Sequence, residues 1–321
     1  MLLTHGASGA ALPPVALTVG NFDGIHCGHR AMLQRLVGEA RKRALVSCVL
    51  TFEPHPLEYF ERIRREAGES AQRPAPTRLS SLREKLELLA AHQVGRVHIQ
   101  RFSGPFAALD PEVFVEQILA KRLKARWVLI GEDFRFGAKR AGDVPLLKRI
   151  GRRFGYEVET MPAVTQAGAR VSSSAVRAAL AAGELASAES LLGRRYSISG
   201  RVVHGRKLGR ELGFATANVQ LKHNRPPLTG IYAVRVHGIS EAARPAVASL
   251  GVRPTITASD RAVLEVHLFD FSGDLYDAHL RVEFLHKIRD EQKYPDLDTL
   301  KAQIERDCDL AKSFLLESRN A

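Results

Sequence analysis

Two histidines, His26 and His29, stand three residues apart in a glycine-rich stretch, GNFDGIHCGHR. An apolar run from Val15 to Val19 precedes it and is typical of a buried strand, and the residues after it are typical of a helix. Side chains three residues apart share one face of a helix, and free backbone N–H groups and the helix dipole attract phosphate to its start. Glycines beside the histidines leave room for a close ligand. The chemistry that this arrangement suits is the cleavage of a triphosphate.

A zinc site is an alternative for the same residues, because Cys27 lies between the histidines. Zinc sites need three or four protein ligands. The other two cysteines, Cys48 and Cys308, stand alone in the sequence, and no second Cys/His cluster follows at metal-ligand spacing. The sequence therefore favours phosphate handling over zinc, and zinc over a chance pairing. The HxGH pattern is similar to the signature of the nucleotidyltransferase superfamily.

A second candidate site lies in the C-terminal half, where the stretch 205–218, GRKLGRELGFATAN, combines three glycines with basic residues. It lacks the Gly-Lys-Ser/Thr of a Walker A loop. Thr216 and Asn218 supply hard oxygen donors that suit magnesium and phosphate, although the same residue types also cap turns. Glu265 lies in the middle of the predicted strand Val263–Phe269, on its more polar face. Such a carboxylate is either a charge on an exposed sheet face or a general base for a hydroxyl nucleophile.

The elements before residue 185 alternate between apolar strands and amphipathic helices. This rhythm predicts a parallel sheet with helices on both faces, whose ligands gather beyond the carboxyl ends of the strands. The predicted strands are Val15–Val19, Leu45–Phe52, Arg96–Ile99, Trp127–Ile130 and Tyr156–Met161. The predicted helices are Gly28–Arg43, Ser80–His92, Pro111–Leu123 and Val144–Phe154, the last capped by Asp143. Residues 20–29 and 131–137 both follow strands, so both belong at that edge of the sheet.

After Gly193 the pattern changes to short strands punctuated by Gly and Pro. This spacing predicts a small antiparallel barrel, followed by an amphipathic helix near Leu297–Leu316. We therefore expect an α/β domain of Rossmann-like nucleotidyltransferase type over 1–185 and an all-β barrel domain with a closing helix over 186–321.

The chain carries a formal net charge of +12, of which +9 falls within residues 1–185. A basic first half fits polyanionic ligands, either nucleotides or nucleic acid. The basic runs are not interleaved with aromatic residues, which argues against nucleic acid. No apolar run is long enough for a membrane span, and no signal-peptide pattern precedes the first strand. With only three scattered cysteines, we expect a cytoplasmic protein.

Taken in order, the motifs resemble those of the bacterial bifunctional riboflavin kinase/FMN adenylyltransferases, also called FAD synthetases. The resemblance spans nearly the whole chain, and together the motifs are far more specific than any one of them. They are GNFDGIHCGH (20–29), TFEPHP (51–56), GEDFRFG (131–137), RVSSSAVR (170–177), GRKLGRELGFATAN (205–218), GIYAV (230–234), GVRPT (251–255), LEVHLFDF (264–271) and FLHKIRDEQKYPDLDTLKAQI (284–304).

Two residues depart from the family pattern. Ala215 replaces the proline that usually precedes Thr-Ala-Asn, and Asp277 stands where glycine is common after Leu-Tyr. Alanine keeps the side chain small but frees the φ angle that proline fixes. The loop is therefore expected to soften, with Thr216 and Asn218 retained.

The resemblance implies two ATP-dependent steps. In the C-terminal domain the ribityl 5′-hydroxyl of riboflavin attacks the γ-phosphate of ATP, with Glu265 as catalytic base and Thr216 and Asn218 as magnesium ligands. In the N-terminal domain the phosphate of FMN attacks the α-phosphorus of a second ATP, pyrophosphate leaves and FAD forms. His26 and His29 would be the catalytic residues of this step and would stabilise the phosphate charge.

The resemblance also implies binding residues for both substrates. The ATP-binding residues of the first domain would be Gly20, Phe22, Gly28, Asp133, Arg170, Ser173, Ser174 and Arg177. Those of the second domain would be Gly205, Lys207, Gly209 and Gly213. The flavin-binding residues would be Phe52, His55, Phe136 and Arg289. The serines at 172–174 also suit simple N-capping of the helix that follows, which is compatible with phosphate binding.

The implied partners are small molecules, namely riboflavin, FMN and ATP, and neither nucleic acid nor a membrane; self-association is left open. Two rival classes remain at this stage. One is a nucleic-acid-binding protein, and the other is a nucleotidyltransferase of single activity whose barrel serves only for binding. The 205–218 motif together with Glu265 argues against the second.

Overall fold

The computed structural model describes residues 1–6, 12–69, 75–205, 214–221, 226–253 and 261–320. The chain forms two compact units. Unit 1 comprises Met1–Pro76 and Lys85–Val171, and unit 2 comprises Thr77–Glu84 and Ser172–Ala321. Residues 172–185, which precede the predicted domain boundary, therefore pack with the second unit.

Unit 1 is built on a sheet of six parallel strands in the order β1-β4-β3-β2-β5-β6. The strands are β1 (Leu2–His5), β2 (Val15–Val19), β3 (Val46–Glu53), β4 (Arg96–Arg101), β5 (Ala125–Gly131) and β6 (Glu157–Met161). β2 is apolar apart from Thr18 and buried throughout, because it lies inside the sheet with neighbours on both sides. The strand order reverses at β2, since β3 pairs on one side of it and β5 on the other. This reversal creates a crevice beyond its carboxyl end, where ligands of such sheets bind.

The helices of unit 1 confirm most of the predicted ones. They are α1 (Cys27–Lys42), α2 (Pro56–Glu66), α3 (Leu82–Ala91), which continues from unit 2, α4 (Gly104–Ala107), α5 (Pro111–Val113) and α6 (Val144–Phe154). Asp143 caps α6 as predicted, accepting from the Leu146 N–H at 2.9 Å. The helix predicted over Pro111–Leu123 begins as α5 and continues as a π-helical segment, Phe114–Arg122. The short strands β7 (Thr165–Gln166) and β8 (Ala169–Arg170) form a hairpin after β6.

Unit 2 is a closed antiparallel barrel of six strands in the order β10-β13-β12-β11-β14-β9. The strands are β9 (Ser197–Val203), β10 (Thr216–Val219), β11 (Gly230–His237), β12 (Arg244–Arg253), β13 (Arg261–Leu268) and β14 (His279–Arg289). Five of them confirm the strands that the pattern after Gly193 predicts, namely Tyr196–Val203, Ile231–Val236, Ala246–Leu250, Val263–Phe269 and Leu280–Leu285. The sixth, β10, corrects the expectation of a loop through residue 218, because its residues pair with both β9 and β13.

Three helices pack on the barrel: α7 (Ser173–Ala182), α8 (Leu185–Leu192) and α9 (Leu297–Asn320). α7 and α8 join the apolar cluster of the barrel interior through buried side chains, namely Val176, Ala179, Leu180, Ala188 and Leu192. α9 instead covers part of the outer face, where Ala311 and Leu315 pack with Ala233 and Val247. Gly183 ends α7 with a φ of +77°, the left-handed conformation that favours glycine at this position.

Segment 77–84 belongs to unit 2, although the residues before and after it in the sequence belong to unit 1. Ser81 and Glu84 form a reciprocal capping box at the start of α3, with contacts of 2.7 and 3.2 Å. The second carboxylate oxygen of Glu84 accepts from the backbone N–H of Ser199 at 2.6 Å. The buried Glu84 therefore ties this segment to the first strand of the barrel.

Candidate active sites

The first candidate site lies beyond the carboxyl end of β2, where the histidines begin α1. The rings of His26 and His29 stack with their centroids 3.7 Å apart. His26 caps the helix, because its Nδ1 accepts from the backbone N–H of His29 at 3.3 Å. A Cβ on Gly28 would lie 3.2 Å from the His26 ring, so only glycine fits there without displacing the ring. The predicted geometry, two imidazoles at a helix start, is present.

The turn that carries the histidines has an unusual backbone. Phe22 and Ile25, both almost fully buried, have φ angles of +49° and +42°. Non-glycine residues seldom adopt this region, and such strain is characteristic of functional turns. The Phe22 ring packs 4.9 Å from that of His29, so this predicted ATP-binding residue supports the histidine from within the core.

The electrostatic surroundings of His29 disfavour its charged form. Burial lowers the pKa of His29 well below its ordinary value, and the nearby His26 and Lys85 lower it further. Its Nδ1 is buried and has no hydrogen-bond partner among the residues that the structure describes. Lys85, a buried lysine on α3, was missed by the sequence reasoning. Its charge near the pair adds to a site that suits a polyanion.

An aromatic cavity of about 610 Å³ opens next to Gly20, at the same edge of the sheet. Phe52 and Phe136, predicted as flavin contacts, line it together with five further phenylalanines, Phe60, Phe102, Phe106, Phe114 and Phe134. Their rings form a continuous series of contacts with centroids 5.5–6.0 Å apart. The cavity has the size and the apolar walls of a small-molecule site.

His55 is not among the residues that line this cavity. Its ring is buried and caps α2, with Nδ1 accepting from the Leu57 N–H at 3.2 Å. Asp133 does line the cavity and forms an ion pair of 2.6 Å with Arg170. That hydrogen bond lowers the pKa of Asp133. The structure thus joins two predicted ATP-binding residues and gives His55 a capping role.

The remaining predicted residues of the first site lie in unit 2. Ser172 caps α7 by accepting from the Ala175 N–H at 3.1 Å, and Ser173 and Ser174 form the first turn. Arg177 donates from Nε to the carbonyl of Thr77 at 2.5 Å. The capping alternative is therefore realised by Ser172. The participation of Ser173, Ser174 and Arg177 in adenylyl transfer stays a prediction.

The second candidate site is a row of polar side chains across the outer face of the barrel. Asn218 pairs with Glu265, which pairs in turn with Ser249 on the next strand. Thr216 pairs with His267 one step along. Directly paired residues point to the same side of a sheet. The five polar groups therefore share one partly exposed face, while their neighbours Ala217, Val219, Leu264 and Val266 fill the interior.

Two glycines around this row let neighbouring side chains lie close to the backbone. A Cβ on Gly205 would lie 2.2 Å from the Asn218 amide, and one on Gly251 would lie 2.1 Å from the Glu291 carboxylate. Glu291 accepts from the Ser249 hydroxyl at 3.3 Å. Gly205 is thus brought to the site as predicted, whereas Lys207, Gly209 and Gly213 lie outside the described residues.

The residue that departs from the family pattern, Ala215, is held by a hydrogen bond to its backbone. His267 Nδ1 donates to the carbonyl of Ala215 at 2.9 Å, which anchors the start of β10 where the family usually has proline. A cavity of about 450 Å³ lies here, lined by His267, Phe269 and Lys312 among others. Lys312 was not predicted, because its helix was assigned from apolar spacing alone.

Arg289 is engaged elsewhere in unit 2. Its guanidinium forms hydrogen bonds of 2.6–3.1 Å with the buried carboxylate of Asp307 on α9. This pair joins the end of β14 to the closing helix. The predicted contact of Arg289 with flavin stays a prediction.

No helix in the described part of the chain has the length and apolar character needed to cross a membrane. Within the same residues, no group of three or more His, Cys, Asp or Glu side chains is arranged to hold a metal ion. The zinc alternative for His26, Cys27 and His29 therefore gains no further ligand among them. Thr216, Asn218 and Glu265 offer hydroxyl, amide and carboxylate oxygens on one face, which is the donor chemistry that magnesium prefers.

Comparisons with known proteins cover both units. The FAD synthetase family model matches residues 9–175, and the riboflavin kinase family model matches residues 192–315. The crystal structure of a protein named macrolide-efflux protein from Streptococcus pneumoniae superposes with a TM-score of 0.77 at 30% identity, covering 96% of this chain and 97% of that one.

Two relatives carry the name bifunctional riboflavin kinase/FMN adenylyltransferase. The relative from Escherichia coli K12 is 48% identical over 310 residues, which span 97% of this chain and 96% of its own. The relative from Haemophilus influenzae is 44% identical over 316 residues, with coverage of 98% and 99%. With both reaction modules matched and full-length relatives at this identity, the chain belongs to the family of bifunctional riboflavin kinases/FMN adenylyltransferases.

Proposed function

We propose that the two reactions of this family take place at the two candidate sites described above. The chain phosphorylates riboflavin to FMN with one ATP and adenylylates FMN to FAD with another, releasing pyrophosphate. We assign adenylyl transfer to residues 1–185 and riboflavin phosphorylation to residues 186–321. The observation that carries the assignment is the separation of two phosphate-suited constellations, the histidine pair in unit 1 and the polar row on the barrel of unit 2.

For adenylyl transfer, the attacking group is the phosphate of FMN, which is already ionised and needs no general base. His26 and His29 stabilise negative charge on the phosphates as the bond between the α- and β-phosphates breaks. The lowered pKa of His29 keeps its ring neutral near pH 7 in the free protein. The aromatic cavity receives the flavin ring through Phe52 and Phe136.

ATP binding by unit 1 draws on the polar groups around this turn. Gly20, Phe22 and Gly28 shape the backbone, while Asp133 and Arg170 act as a pair. Ser173, Ser174 and Arg177 complete the set of predicted ligands. The support for the pair is its 2.6 Å contact beside the cavity.

For phosphorylation, the oxygen of the ribityl 5′-hydroxyl attacks the γ-phosphorus of ATP while Glu265 accepts the hydroxyl proton, and ADP leaves. Thr216 and Asn218 hold magnesium, which neutralises phosphate charge when it is bound. The register of β10 and β13 supports this proposal, since it sets Asn218 directly opposite Glu265. Gly205, with Lys207, Gly209 and Gly213, covers the nucleotide, and Arg289 contacts flavin at the end of β14.

We assign the protein to the cytoplasm, where its nucleotide and flavin substrates are made. All three cysteines are free thiols, which suits a reducing compartment. Its partners are the small molecules riboflavin, FMN and ATP rather than nucleic acid or a membrane surface.

One incubation tests the proposal. The protein is mixed with riboflavin, excess ATP and magnesium, and the flavins are separated by chromatography over time. We expect FMN to appear first and FAD to follow, and we expect EDTA to stop the sequence. A mixture that still contains only riboflavin after prolonged incubation would refute the proposal. Accumulation of FMN without FAD, or conversion of supplied FMN alone, would reduce the protein to one activity.

A further inference from the structure

One stretch of unit 1 next to the aromatic cavity has no role in the scheme above. We call Gly137–Ala141 the basic loop, because it carries Lys139 and Arg140, which both line the cavity beside the phenylalanines. Both side chains belong to exposed residues. The cavity therefore combines an apolar floor with a cationic edge, and it opens beside Gly20, close in sequence to the histidine turn.

Among the described residues, neither cation of the basic loop forms an ion pair with a carboxylate, although the charge of Arg140 acts on Asp133 and helps to lower its pKa. Arg135, also at the cavity, pairs with Asp143 at 3.6 Å, and Asp133 is committed to Arg170 at 2.6 Å. Among the described residues, no carboxylate lies within ion-pair distance of Lys139 or Arg140. The edge of the cavity thus carries an excess of two positive charges. An aromatic ligand that also bears two negative charges would complement it.

The backbone of both cationic residues adopts a strained conformation. Lys139 and Arg140 have φ angles of +52° and +59°, a region that is unfavourable for non-glycine residues. The loop is pinned at its ends, because Phe136 and Gly142 exchange two backbone hydrogen bonds of 2.9 and 3.1 Å. A Cβ at Gly142 would lie 2.6 Å from the Phe136 ring, so the pinning depends on glycine. Strain of this kind is retained where it serves a site.

We propose that the basic loop binds the phosphate monoester of FMN, so that it is the element that selects FMN over riboflavin at the adenylylation site. The inference rests on the proposed function of unit 1. FMN and riboflavin share the flavin ring and the ribityl chain and differ only in the terminal phosphate. The aromatic floor binds the shared part equally in both. Discrimination must therefore come from groups that recognise a dianion, and Lys139 and Arg140 are cations of this cavity that form no ion pair within the described part of the chain.

Selection of FMN over riboflavin matters in a bifunctional enzyme, because riboflavin is present as the substrate of its other reaction. Riboflavin bound in the aromatic cavity would block it without reacting. Charge-assisted hydrogen bonds to phosphate are about twice as strong as neutral ones, and about tenfold in affinity corresponds to each 1.4 kcal/mol. Two such contacts are therefore expected to favour FMN by about 10–100-fold.

The test is a kinetic comparison of the full-length protein and K139A/R140A in FAD formation from supplied FMN. We expect the KM for FMN to rise about 10–100-fold while the KM for ATP changes less than about twofold. Inhibition by 5′-deoxyriboflavin, which has no hydroxyl to phosphorylate, should keep its inhibition constant. The dependence of the KM for FMN on salt should weaken in the variant, since screening acts on the lost charges.

The chain offers a matched control in Lys148 and Arg149, a second exposed Lys-Arg pair, on α6 and outside the cavity. K148A/R149A removes the same net charge and should leave the KM for FMN unchanged. K139R/R140K keeps both charges and should stay within about fivefold of the parent protein. If K139A/R140A proves unstable, K139N/R140N replaces it, because asparagine tolerates positive φ.

The possible outcomes separate the two hypotheses. If the parent protein makes no FAD, the proposed function of unit 1 fails. If it makes FAD but K139A/R140A keeps the parental KM for FMN, the loop has no part in selection and this inference is wrong. A rise in the KM for ATP in place of that for FMN would assign the cations to the triphosphate and overturn the inference as well.

Discussion

The two candidate sites use their scaffolds in different ways. In unit 1 the histidines lie in a turn beyond a strand, and His26 both caps α1 and faces the other ring. In unit 2 the polar groups lie on strands whose alternation points Glu265 outward while Val266 fills the interior. The first arrangement couples chemistry to local stability. The second separates them, because one set of residues folds the barrel and the other carries the proposed reaction.

The largest effect that tests this separation is expected from Glu265→Gln. The change removes the base but keeps the size and polarity of the side chain, and loss of a general base costs about 10²–10⁴ in rate. We expect riboflavin phosphorylation to fall by this factor, with an unchanged melting temperature and normal conversion of supplied FMN to FAD. Glu283→Gln, a carboxylate change on β14, is the matched control. Near-normal FMN production by the first variant would make Glu265 a bystander on a sheet face.

His29→Ala is expected to affect the other reaction. Removal of one donor to a developing phosphate charge costs about 10²–10³. FAD formation from FMN should fall by this amount, while riboflavin phosphorylation should stay normal. His92→Ala serves as control, since this residue lies at the end of α3, outside the histidine turn. Equal loss of both activities in a folded variant would contradict the assignment of the reactions to separate sites.

A comparison of two fragments tests how independent the barrel is. The sequence pattern favours a cut near residue 185, whereas Val176, Ala179 and Leu180 of α7 are buried in the barrel cluster. Burial of a Val or Leu side chain contributes about 1.5–3 kcal/mol. We expect fragment 172–321 to melt at least about 10 °C above fragment 186–321, measured by circular dichroism, and to phosphorylate riboflavin without making FAD. Equal melting temperatures would mean that α7 adds nothing to the barrel.

The free energy of unfolding is expected to depend on pH through His98, a buried histidine of unit 1. His98 is buried on β4, and burial, followed by the charge of Arg122, lowers its pKa to about 4. The unfolded chain binds this proton near pH 6.5, so unfolding takes up a proton between pH 6.5 and 4. The contribution of neutral His98 to the free energy of unfolding is therefore fully present above pH 6.5 and is lost as the pH falls towards 4. His98→Gln should flatten this part of the curve of unfolding free energy against pH, and an unchanged slope would assign the proton to other groups.

The smallest effect concerns the double role of His26. Asparagine is a good N-cap and alanine is a poor one, with a difference of about 0.5–2 kcal/mol. We expect both His26→Asn and His26→Ala to lose FAD formation, but only the alanine variant to lose stability in urea denaturation. If both variants are equally stable, the cap observed at the start of α1 contributes nothing, and the contrast between the sites weakens.

Local patterns were sufficient to predict most of the elements. Val15–Val19 is apolar apart from Thr18 because it is an inner strand, and Gly183 and Asp143 mark helix ends by their own chemistry. β1 was missed because Leu2 and Leu3 are exposed on an edge strand whose partner, β4, lies more than ninety residues away. Thr216–Val219 was missed because Thr, Ala and Asn are equally typical of a turn. The π-helical segment has the same apolar spacing as an α-helix.

The sites were predictable where a motif is continuous in the chain. The histidine turn and the outward position of Glu265 follow from neighbours in sequence. The aromatic cavity does not, since its phenylalanines come from separate loops, and only their recurrence near strand ends, at Phe52, Phe102 and Phe134, gave a signal. His55 and Arg289 have structural partners that the sequence did not indicate, because one caps a helix and the other holds Asp307. Their contacts with flavin stay predictions.

The bond between Glu84 and Ser199 has a consequence for the newly made chain. The two residues are 115 positions apart. Ribosomes add roughly 5–20 residues per second, so segment 77–84 emerges roughly 6–23 s before its partner strand exists. During that interval Leu79 has no barrel to cover it, and the carboxylate must stay hydrated. Slowing translation between the two codons would lengthen this exposure, so synonymous changes alone are expected to alter the yield of folded enzyme.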